Sequence, residues 1–346
     1  MTANTTDLDI QKNVDLSSFN TLKISAQASS FLSITSAEQL ETFCTQSDRD
    51  EAPVFVLGGG SNVLFADDFD GLILHISIMG KEVIKEDEEH VWLKVGAGEN
   101  WHEIVLYCVE NGWGGIENLS LIPGTAGAAP IQNIGAYGVE LEEVFESLQA
   151  VHLETGERRT FKKSDCQFGY RDSIFKNELK GEYVVANVTL KLSKNHNLNT
   201  SYGAIQQKLE EKDIDEPTIK DISDIVIEIR NSKLPNPKDL GNAGSFFKNP
   251  IVSRQKFEQL KRAYENIPGY ELNDIEVKVP AGWLIEQAGW KGKVVGNAGT
   301  YQQQALVIVN HGGATGEEIL ELARQIQLSV DEEFGISLVP EVNIVR

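Results

Sequence analysis

The apolar residues of this chain form short runs and periodic sets, and the two patterns predict different elements. Strand-length apolar runs bounded by polar or turn residues predict buried strands. Runs of this kind occur at 53–57, 72–76, 91–95, 305–310 and 337–345. The segment 145–192 carries further strand signals, among them the alternation of apolar and polar residues in 183–190. We therefore expect strands and helices to be interleaved, with a β-rich middle section.

Apolar residues at helical spacing, together with capping patterns, predict the helices. Ser36-Ala-Glu-Gln39 and Thr315-Gly-Glu-Glu318 both match the capping box. Predicted helices cover 36–45, 101–110, 253–265, 280–289 and the residues after Thr315, and a further one begins at Ile219 and stops at 234–237. In the last of them the inner positions are expected to be Ile319, Leu322, Ala323, Ile326 and Phe334. Leu234-Pro-Asn-Pro237 cannot continue a helix, so we expect a boundary near residue 235 in a mixed α+β protein.

The composition indicates an acidic, folded protein. The 346 residues include 31 basic and 52 acidic side chains, which gives a net charge of −21, and 41% are hydrophobic. Length alone suggests two or three domains of roughly 150 residues each. Nucleic acids and anionic membranes favour clustered Lys and Arg, so neither is expected as a partner. A small anionic ligand needs only a local positive site and remains compatible with this charge.

Several kinds of site and location are also disfavoured. The three cysteines, Cys44, Cys108 and Cys166, are widely spaced, which indicates reduced thiols rather than a zinc site or a disulfide framework. The six histidines are scattered, so we expect no metal centre. The first fifteen residues lack the apolar core of a signal peptide, and no apolar run approaches the ~18 residues of a membrane span. These features favour a cytoplasmic protein.

Three glycine-rich segments are the candidates for chemistry. Residues 57–62 follow a predicted strand, and their consecutive glycines suit a diphosphate, with a plain tight turn as the alternative. Val63 breaks the dinucleotide motif G-x-G-x-x-G. Residues 121–138 are rich in Gly and Ala and carry no charge, which suits either a large flat ligand or close packing of two backbones. Residues 241–250 present a Ser, a Lys and an Asn on a loop.

Taken together, these segments resemble one family, the flavoproteins that reduce UDP-N-acetylglucosamine enolpyruvate to UDP-N-acetylmuramate. The resemblance extends from Asn20-Thr21 to Pro340-Glu341 and includes Gly169-Tyr-Arg-Asp-Ser173 as well as the three glycine-rich segments. It implies an FAD-binding domain of the vanillyl-alcohol-oxidase (PCMH) type over 20–196, in two lobes of about 1–75 and 76–230. It further implies a smaller α/β substrate-binding domain over 231–335 and a strand over 336–346 that returns to the active site.

The resemblance also implies the chemistry. Non-covalent FAD would receive a hydride from NADPH and pass it from N5 to the enol ether of the UDP-sugar, in the synthesis of peptidoglycan precursors and hence in cell shape and division. The implied partners are therefore two small molecules, and we expect a monomer. Thr200-Ser-Tyr-Gly203 resembles the loop of the larger subtype, in which a Tyr covers the substrate.

The resemblance is carried over residue by residue. Implied catalytic residues are Arg171, which would stabilise charge on the carboxylate, Glu341, which would act with it, and Ser245, which would supply the proton. Implied substrate-binding residues are Tyr170, Tyr202, Lys233, Asn249 and Gln304. The cofactor-binding residues expected from the first two glycine-rich segments are Leu57, Gly58, Gly59, Gly60, Ser61, Asn62, Pro123, Gly124, Thr125, Ala126, Gly127, Gln132, Asn133, Gly135, Ala136, Tyr137 and Gly138.

Three other functions stay open on the sequence. One is a different FAD oxidoreductase of the same fold, such as a sugar or lactone oxidase, and another is a nucleotide-binding module without catalysis. The third is a hydrolase built on the S-x-x-K patterns at Ser173 and Ser245, although the companion motifs are missing. Two basic islands, 158–180 with a net charge of +4 and 230–248 with +3, predict a positive cleft in the acidic body.

Overall fold

A computed structural model describes residues 8–46 and 52–346 of the chain. Within these residues there are seven α-helices: α1 (Ala37–Thr45), α2 (Trp101–Glu110), α3 (Gly203–Glu211), α4 (Ile219–Lys233), α5 (Arg254–Ala263), α6 (Ala281–Gln287) and α7 (Gly316–Phe334). All predicted helices are confirmed, and α4 ends at Lys233, directly before the predicted stop at 234–237. None of the helices in these two ranges combines the length and hydrophobicity that crossing a lipid bilayer requires.

The larger sheets lie in the N-terminal two thirds of the chain. One has four strands in the order Gln11–Asp15, Gln27–Ile34, Phe69–Ile76 and Val54–Leu57. The other is an antiparallel sheet in the order Arg158–Lys162, Phe145–His152, Tyr183–Ser193, His90–Gly96 and Lys81–Glu86. A short hairpin joins Gly135–Ala136 to Val139–Glu140.

The C-terminal third contributes smaller sheets. Four strands pair in the order Gly241–Ser245, Val307–Asn310, Ala298–Thr300 and Val294–Val295. Three pair in the order Ile251–Ser253, Glu276–Lys278 and Tyr270–Glu271. The predicted strand over 337–345 is formed only at Asn343–Val345, which runs parallel to Val63–Phe65. Before this strand, Pro340 forms an isolated bridge with Phe247. Because Pro340 has no N–H to donate, the pairing does not extend into a strand there.

The chain folds as two compact units that are interleaved in sequence. The first contains the described parts of residues 1–14 and 29–59 together with 70–232, and the second contains 15–28, 60–69 and 233–346. The sequence predicts one boundary near residue 235, whereas two early segments, 15–28 and 60–69, belong with the C-terminal unit. Thr21 illustrates the reason, since its hydroxyl donates to the carbonyl oxygen of Asn242 at 2.6 Å.

In both compact units the predicted apolar stripes of the helices are buried. In the first unit, Trp101 of α2 is buried and its indole N–H donates to the carbonyl oxygen of Leu119 at 3.1 Å. Helices α3 and α4 share a small core of their own, which includes Ile205, Ile222 and Val226. In the second unit, all five predicted inner positions of α7 are buried. Its N-terminus forms the full capping box between Thr315 and Glu318.

Two predicted helix ends differ in detail from the structure. Ser36 accepts from the N–H of Gln39, but the Gln39 side chain accepts from Thr35 rather than from Ser36, so only half of the capping box forms. Pro280 is the N-cap of α6 rather than its first helical residue, with ψ at 114°. Both changes leave the predicted start of the helix in place.

The buried cysteines give a testable consequence of this packing. Cys44, Cys108 and Cys166 are all buried and not disulfide-bonded, and burial raises the pKa of the Cys108 and Cys166 thiols to about 12. Because the thiolate is the reactive form, we expect no alkylation of the folded protein by iodoacetamide near pH 8 and modification of all three thiols in denaturant. Mass spectrometry of the two samples measures this, and labelling of the native protein would contradict the burial.

Candidate functional site

The first glycine-rich segment lies directly against the second. Within the first unit, a Cβ atom on Gly58 would be 2.7 Å from the hydroxyl oxygen of Thr125, and one on Gly59 would be 3.3 Å from Cα of Gly124. The two segments therefore meet with no room for side chains, as the packing alternative predicted. Gly59 is nevertheless exposed, so small residues and backbone also face solvent here.

The loop 123–127 is held by backbone hydrogen bonds. The N–H of Trp101 donates to the carbonyl oxygen of Gly124 at 3.0 Å, and the N–H of Gly127 donates to that of Ala97 at 2.9 Å. A Cβ atom on Gly127 would lie only 2.5 Å from Cβ of Ala97, so this position requires glycine. Pro123 at the start of the loop is exposed. The loop is thus fixed from one side and accessible from the other.

Asn133 fixes the second half of this segment. It is fully buried and adopts a left-handed backbone conformation with φ at 42°. Its amide nitrogen donates to Glu140 Oε2 at 2.9 Å and to the carbonyl oxygen of Gly169 at 3.2 Å, while its amide oxygen accepts from the N–H of Glu142 at 3.0 Å. The side chain therefore satisfies protein groups here, and it joins the loop to the motif that contains Arg171.

Arg171 points back onto the same segment. Its guanidinium donates to the carbonyl oxygens of Asn133, at 3.3 Å, and of Gly135, and lies 3.8 Å from Glu140 Oε1. Its Cζ is 5.2 Å from the ring centre of Tyr170, which is 43% exposed. Arg171 itself has φ at 54°, a conformation that a residue with a long side chain rarely adopts. Its partners on the loop hold the guanidinium beside the exposed ring.

Tyr202 lies against the end of the segment. It precedes the first residue of α3, is 41% exposed, and its ring meets that of Tyr137 edge-on at 5.1 Å. Asn118 joins the same two stretches, because its amide nitrogen donates to the carbonyl oxygens of Tyr137, at 3.1 Å, and Asn199, at 2.9 Å. Within the described residues, the amide oxygen of Asn118 is the buried side-chain polar atom that lacks a hydrogen-bond partner.

Arg230, which the sequence placed only in the basic island 230–248, also contacts the second glycine-rich segment. It lies on α4, where its Nε donates to the carbonyl oxygen of Leu121 at 3.3 Å. Burial lowers its pKa, and the hydrogen bond with Tyr137 opposes that effect. Burial likewise raises the pKa of the Tyr137 hydroxyl. The signal in the sequence was a charge four residues after Val226, at the spacing of the apolar stripe.

Ser245 and Glu341 are brought together in the second unit. The N–H of Glu341 donates to the carbonyl oxygen of Phe246 at 2.8 Å, so Glu341 is paired with the residue next to Ser245. Asn62 borders the same place, because its amide nitrogen donates to the carbonyl oxygen of Glu341 at 3.3 Å. Ser245 is exposed and Glu341 half-buried. Two of the three predicted catalytic residues are thus neighbours despite a separation of almost a hundred residues.

Gly60 is required by close packing in the same unit. A Cβ atom there would lie 1.9 Å from the carbonyl oxygen of Phe19, and its φ is 60°. Its own carbonyl oxygen accepts from the N–H of Thr21 at 3.0 Å. The turn 60–62 therefore lies against the segment 19–21, where the family resemblance begins.

Two predicted substrate-binding residues meet at the start of α6. Asn249 accepts from the N–H of Ala281 at 2.9 Å through its amide oxygen. A Cβ atom on Gly282 would lie 2.6 Å from Oε1 of Gln304. Both amide side chains thus border the first turn of this helix. Lys233 is the exposed last residue of α4.

Two sequence hypotheses are corrected by the packing. Ser173 is fully buried and its hydroxyl donates to the carbonyl oxygen of Ile131 at 2.6 Å, while Lys176 donates to the carbonyl oxygen of Arg171. Ser173 is therefore a structural residue and not an exposed nucleophile. Arg158, counted in the first basic island, forms ion pairs with Glu38 at 3.2 Å and with Glu41. Two carboxylates from outside the island therefore balance its charge, and the count of +4 over 158–180 does not include them.

Comparison with known proteins first defines the class. Residues 28–162 match the family model of an FAD binding domain. Residues 236–345 match the family model of the C-terminal domain of UDP-N-acetylenolpyruvoylglucosamine reductase. Together they confirm the predicted α+β fold class with an FAD-binding domain followed by a second domain.

The curated relatives then define the family. The chain is 50% identical to the UDP-N-acetylenolpyruvoylglucosamine reductase of Flavobacterium johnsoniae over 98% of its own length and 100% of the relative, and 52% identical to that of Amoebophilus asiaticus with the same coverage. It belongs to the UDP-N-acetylenolpyruvoylglucosamine reductase family. The crystal structure of the enzyme from Thermus caldophilus, 24% identical, has the same fold, with a TM-score of 0.69 over 98% of this chain and 100% of that one.

The role of Asn133 can be tested by stability. Asn133→Ala removes three hydrogen bonds of a buried side chain and puts alanine at a positive φ that asparagine tolerates better, so we expect a loss of about 2–4 kcal/mol in the free energy of unfolding. Asn133→Gly removes the same bonds but tolerates the backbone conformation, and it should lose less. Urea denaturation of both variants measures this, and an unchanged midpoint in Asn133→Ala would show that the amide is dispensable.

Proposed function

We propose that this chain is an FAD-containing, NADPH-dependent enzyme that reduces UDP-N-acetylenolpyruvoylglucosamine to UDP-N-acetylmuramate in peptidoglycan precursor synthesis. The observation that carries the proposal is 50% identity to a reductase of this name along the whole length of that relative. The pairing of Glu341 with Phe246, beside Ser245, supports it, because two residue types needed for the reaction are adjacent. We assign the first glycine-rich segments to the cofactor and the C-terminal domain to the UDP-sugar.

The residues of the glycine-rich segments fit FAD. Side chains at Gly58 or Gly59 would collide with Thr125 and Gly124, so the two segments meet through backbone and small groups, and Gly59 and Pro123 stay exposed beside that contact. Such surfaces let backbone N–H groups approach phosphates and flat rings closely. When bound, FAD would supply hydride transfer, with NADPH as the source of the hydride. The loops 57–62, 123–127 and 132–138 would hold it without a covalent bond.

Arg171 and Glu341 would act on the carboxylate of the enol ether. Hydride addition to the methylene carbon moves negative charge onto the neighbouring carbon and its carboxylate. A guanidinium is permanently charged and can direct two N–H groups at one carboxylate, so Arg171 suits this charge as it develops. The hydrogen bonds to Asn133 and Gly135 preorganise it before the substrate binds. Glu341 would polarise the same carboxylate.

Ser245 would deliver the proton to the carbon that becomes negatively charged. Its position in an exposed strand end, beside the segment that carries Glu341, keeps the hydroxyl accessible. A positioned proton donor of this kind contributes about 10²–10⁴-fold to the rate. Lys233, Asn249 and Gln304 would bind the nucleotide, with the ammonium of Lys233 paired to the diphosphate, while Tyr170 and Tyr202 would contact the sugar side. We expect a cytoplasmic monomer.

The two half-reactions separate the role of Ser245 from a general defect. In Ser245→Ala we expect flavin reduction by NADPH to stay near the wild-type rate, whereas reoxidation by the enol ether should slow by about 10²–10⁴-fold. Anaerobic stopped-flow absorbance at the flavin bands measures both steps. Ser245→Cys retains an ionisable proton donor and should recover part of the rate.

Equal loss in both half-reactions would contradict the role of Ser245 as the proton donor. Rapid reoxidation of the reduced wild-type flavin by oxygen, without reaction toward the enol ether, would instead indicate an oxidase. A purified protein without flavin absorbance would overturn the proposed function as a whole.

The position of Tyr202 predicts an effect on substrate binding. Tyr202→Phe keeps the ring contact with Tyr137 but removes the hydroxyl, so we expect a change in KM or in substrate inhibition and little change in flavin reduction. Tyr202→Ala removes the contact as well and should have the larger effect. Steady-state kinetics over a wide range of substrate concentrations provide the measurement, and identical profiles for all three proteins would remove Tyr202 from the site.

A further inference from the structure

Leu121 stands at the start of the second glycine-rich segment in a constrained conformation. Its φ is 58°, in the left-handed region that leucine rarely occupies. Conformations of this kind persist only where the surrounding structure determines them. Two residues later the chain reaches Pro123 and the loop 123–127, so the direction of the backbone at Leu121 sets how that loop begins.

Both peptide groups of Leu121 are held by side chains from helices of the first unit. Its N–H donates to Nδ1 of His102 on α2 at 3.0 Å. Its carbonyl oxygen accepts from Nε of Arg230 on α4 at 3.3 Å. The preceding residue adds a third tie, because the hydroxyl oxygens of Ser120 and Ser223 are 2.8 Å apart and buried. The segment is thus anchored to two helices at one point.

The hydrogen bond to His102 requires a particular protonation state. Nδ1 can accept only when it carries no proton, so the ring must be neutral with its proton on Nε2. Burial lowers the pKa of His102, the guanidinium of Arg230 acts in the same direction, and the carboxylate of Glu103 on its own helix opposes them. Protonation would turn the acceptor into a donor facing the N–H of Leu121 and would add a cation near Arg230.

We infer that His102 is a positioning residue for the cofactor loop: its unprotonated Nδ1, together with Arg230, fixes Leu121 and thereby the geometry of residues 123–127. The link to the cofactor rests on the proposed function, whereas the link to Leu121 does not. Since the pKa of His102 is lower in the folded chain than in the unfolded one, the unfolded chain binds more protons between the two values. The stabilisation is therefore present above about pH 6.5 and is lost as the pH falls through the folded pKa.

Two substitutions of His102 separate the effect of losing the hydrogen-bond acceptor from the effect of its protonation. His102→Asn places an amide oxygen near the position of Nδ1 and does not titrate, while His102→Leu fills similar space without an acceptor. For His102→Leu we expect FAD binding about tenfold weaker at pH 7.5, since one buried N–H loses its partner. The wild-type protein should lose affinity as the pH falls below about 6.5, whereas His102→Asn should keep it. Flavin fluorescence on dilution measures the dissociation constants.

A second measurement is independent of flavin. Hydrogen exchange of the Leu121 amide in the flavin-free protein should show protection reduced about tenfold in His102→Leu and near the wild-type value in His102→Asn. His152→Leu is the matched control, because the Nδ1 atom of His152 also accepts backbone N–H groups, those of Glu154 and Thr155, in an exposed turn. It should change neither the protection of Leu121 nor its response to pH.

The outcomes distinguish the inference from the proposed function. Wild-type protection of Leu121 in His102→Leu, or equal loss in His102→Asn and His102→Leu, would overturn the inference even if FAD binds. Absence of FAD binding by the wild-type protein, with the expected changes at Leu121, would overturn the proposed function and leave the tether from His102 to Leu121 standing.

Discussion

The segment from Leu121 to Gly138 is rich in Gly and Ala, and hydrogen bonds to its own backbone hold it in place together with the packing of Ile122, Ile131 and Ile134 on the core. Several of these bonds come from other parts of the first unit. Arg230 donates to Leu121, Asn118 to Tyr137 and Asn199 to Gly138. Buried donors and acceptors without partners cost about 1–3 kcal/mol each. The conformation of the segment therefore depends on the residues that donate to its backbone. The surrounding elements therefore position this segment.

This requirement explains why the residues assigned to chemistry also have structural contacts. Arg171 donates to two carbonyl oxygens of the segment and lies beside Tyr170, so its guanidinium is fixed rather than free to rotate in solvent. A fixed cation costs less to reorganise when charge develops next to it. In the second unit, Glu341 is held in place by a backbone contact. Phe247 and Pro340 form an isolated bridge, which keeps Glu341 beside the end of the Ser245 strand.

Much of the fold was predictable because its signals are local. The capping box at Thr315 and the stripe from Ile319 to Phe334 gave the start and the inner face of α7. The candidate site was predictable only in part. Residue types and their order identified Arg171, Ser245 and Glu341 through the family resemblance, but the spacing along the chain did not indicate that Glu341 is paired next to Ser245. Nor did it separate Ser173, a buried structural hydroxyl, from Ser245, an exposed one.

The acidic composition, six of the seven described helices, several of the longer strands and the glycine-rich segments could be predicted from the sequence, because each depends on the residues themselves or on groups a few positions apart. Which partners those segments acquire depends on groups brought together from distant parts of the chain. Asn133 was expected to face a ligand, yet its amide is used by Glu140, Glu142 and Gly169, since a buried left-handed turn needs those bonds. His102 and Arg230 gave no motif at all. Folding alone placed them on either side of Leu121, where one N–H and one carbonyl oxygen had to be satisfied.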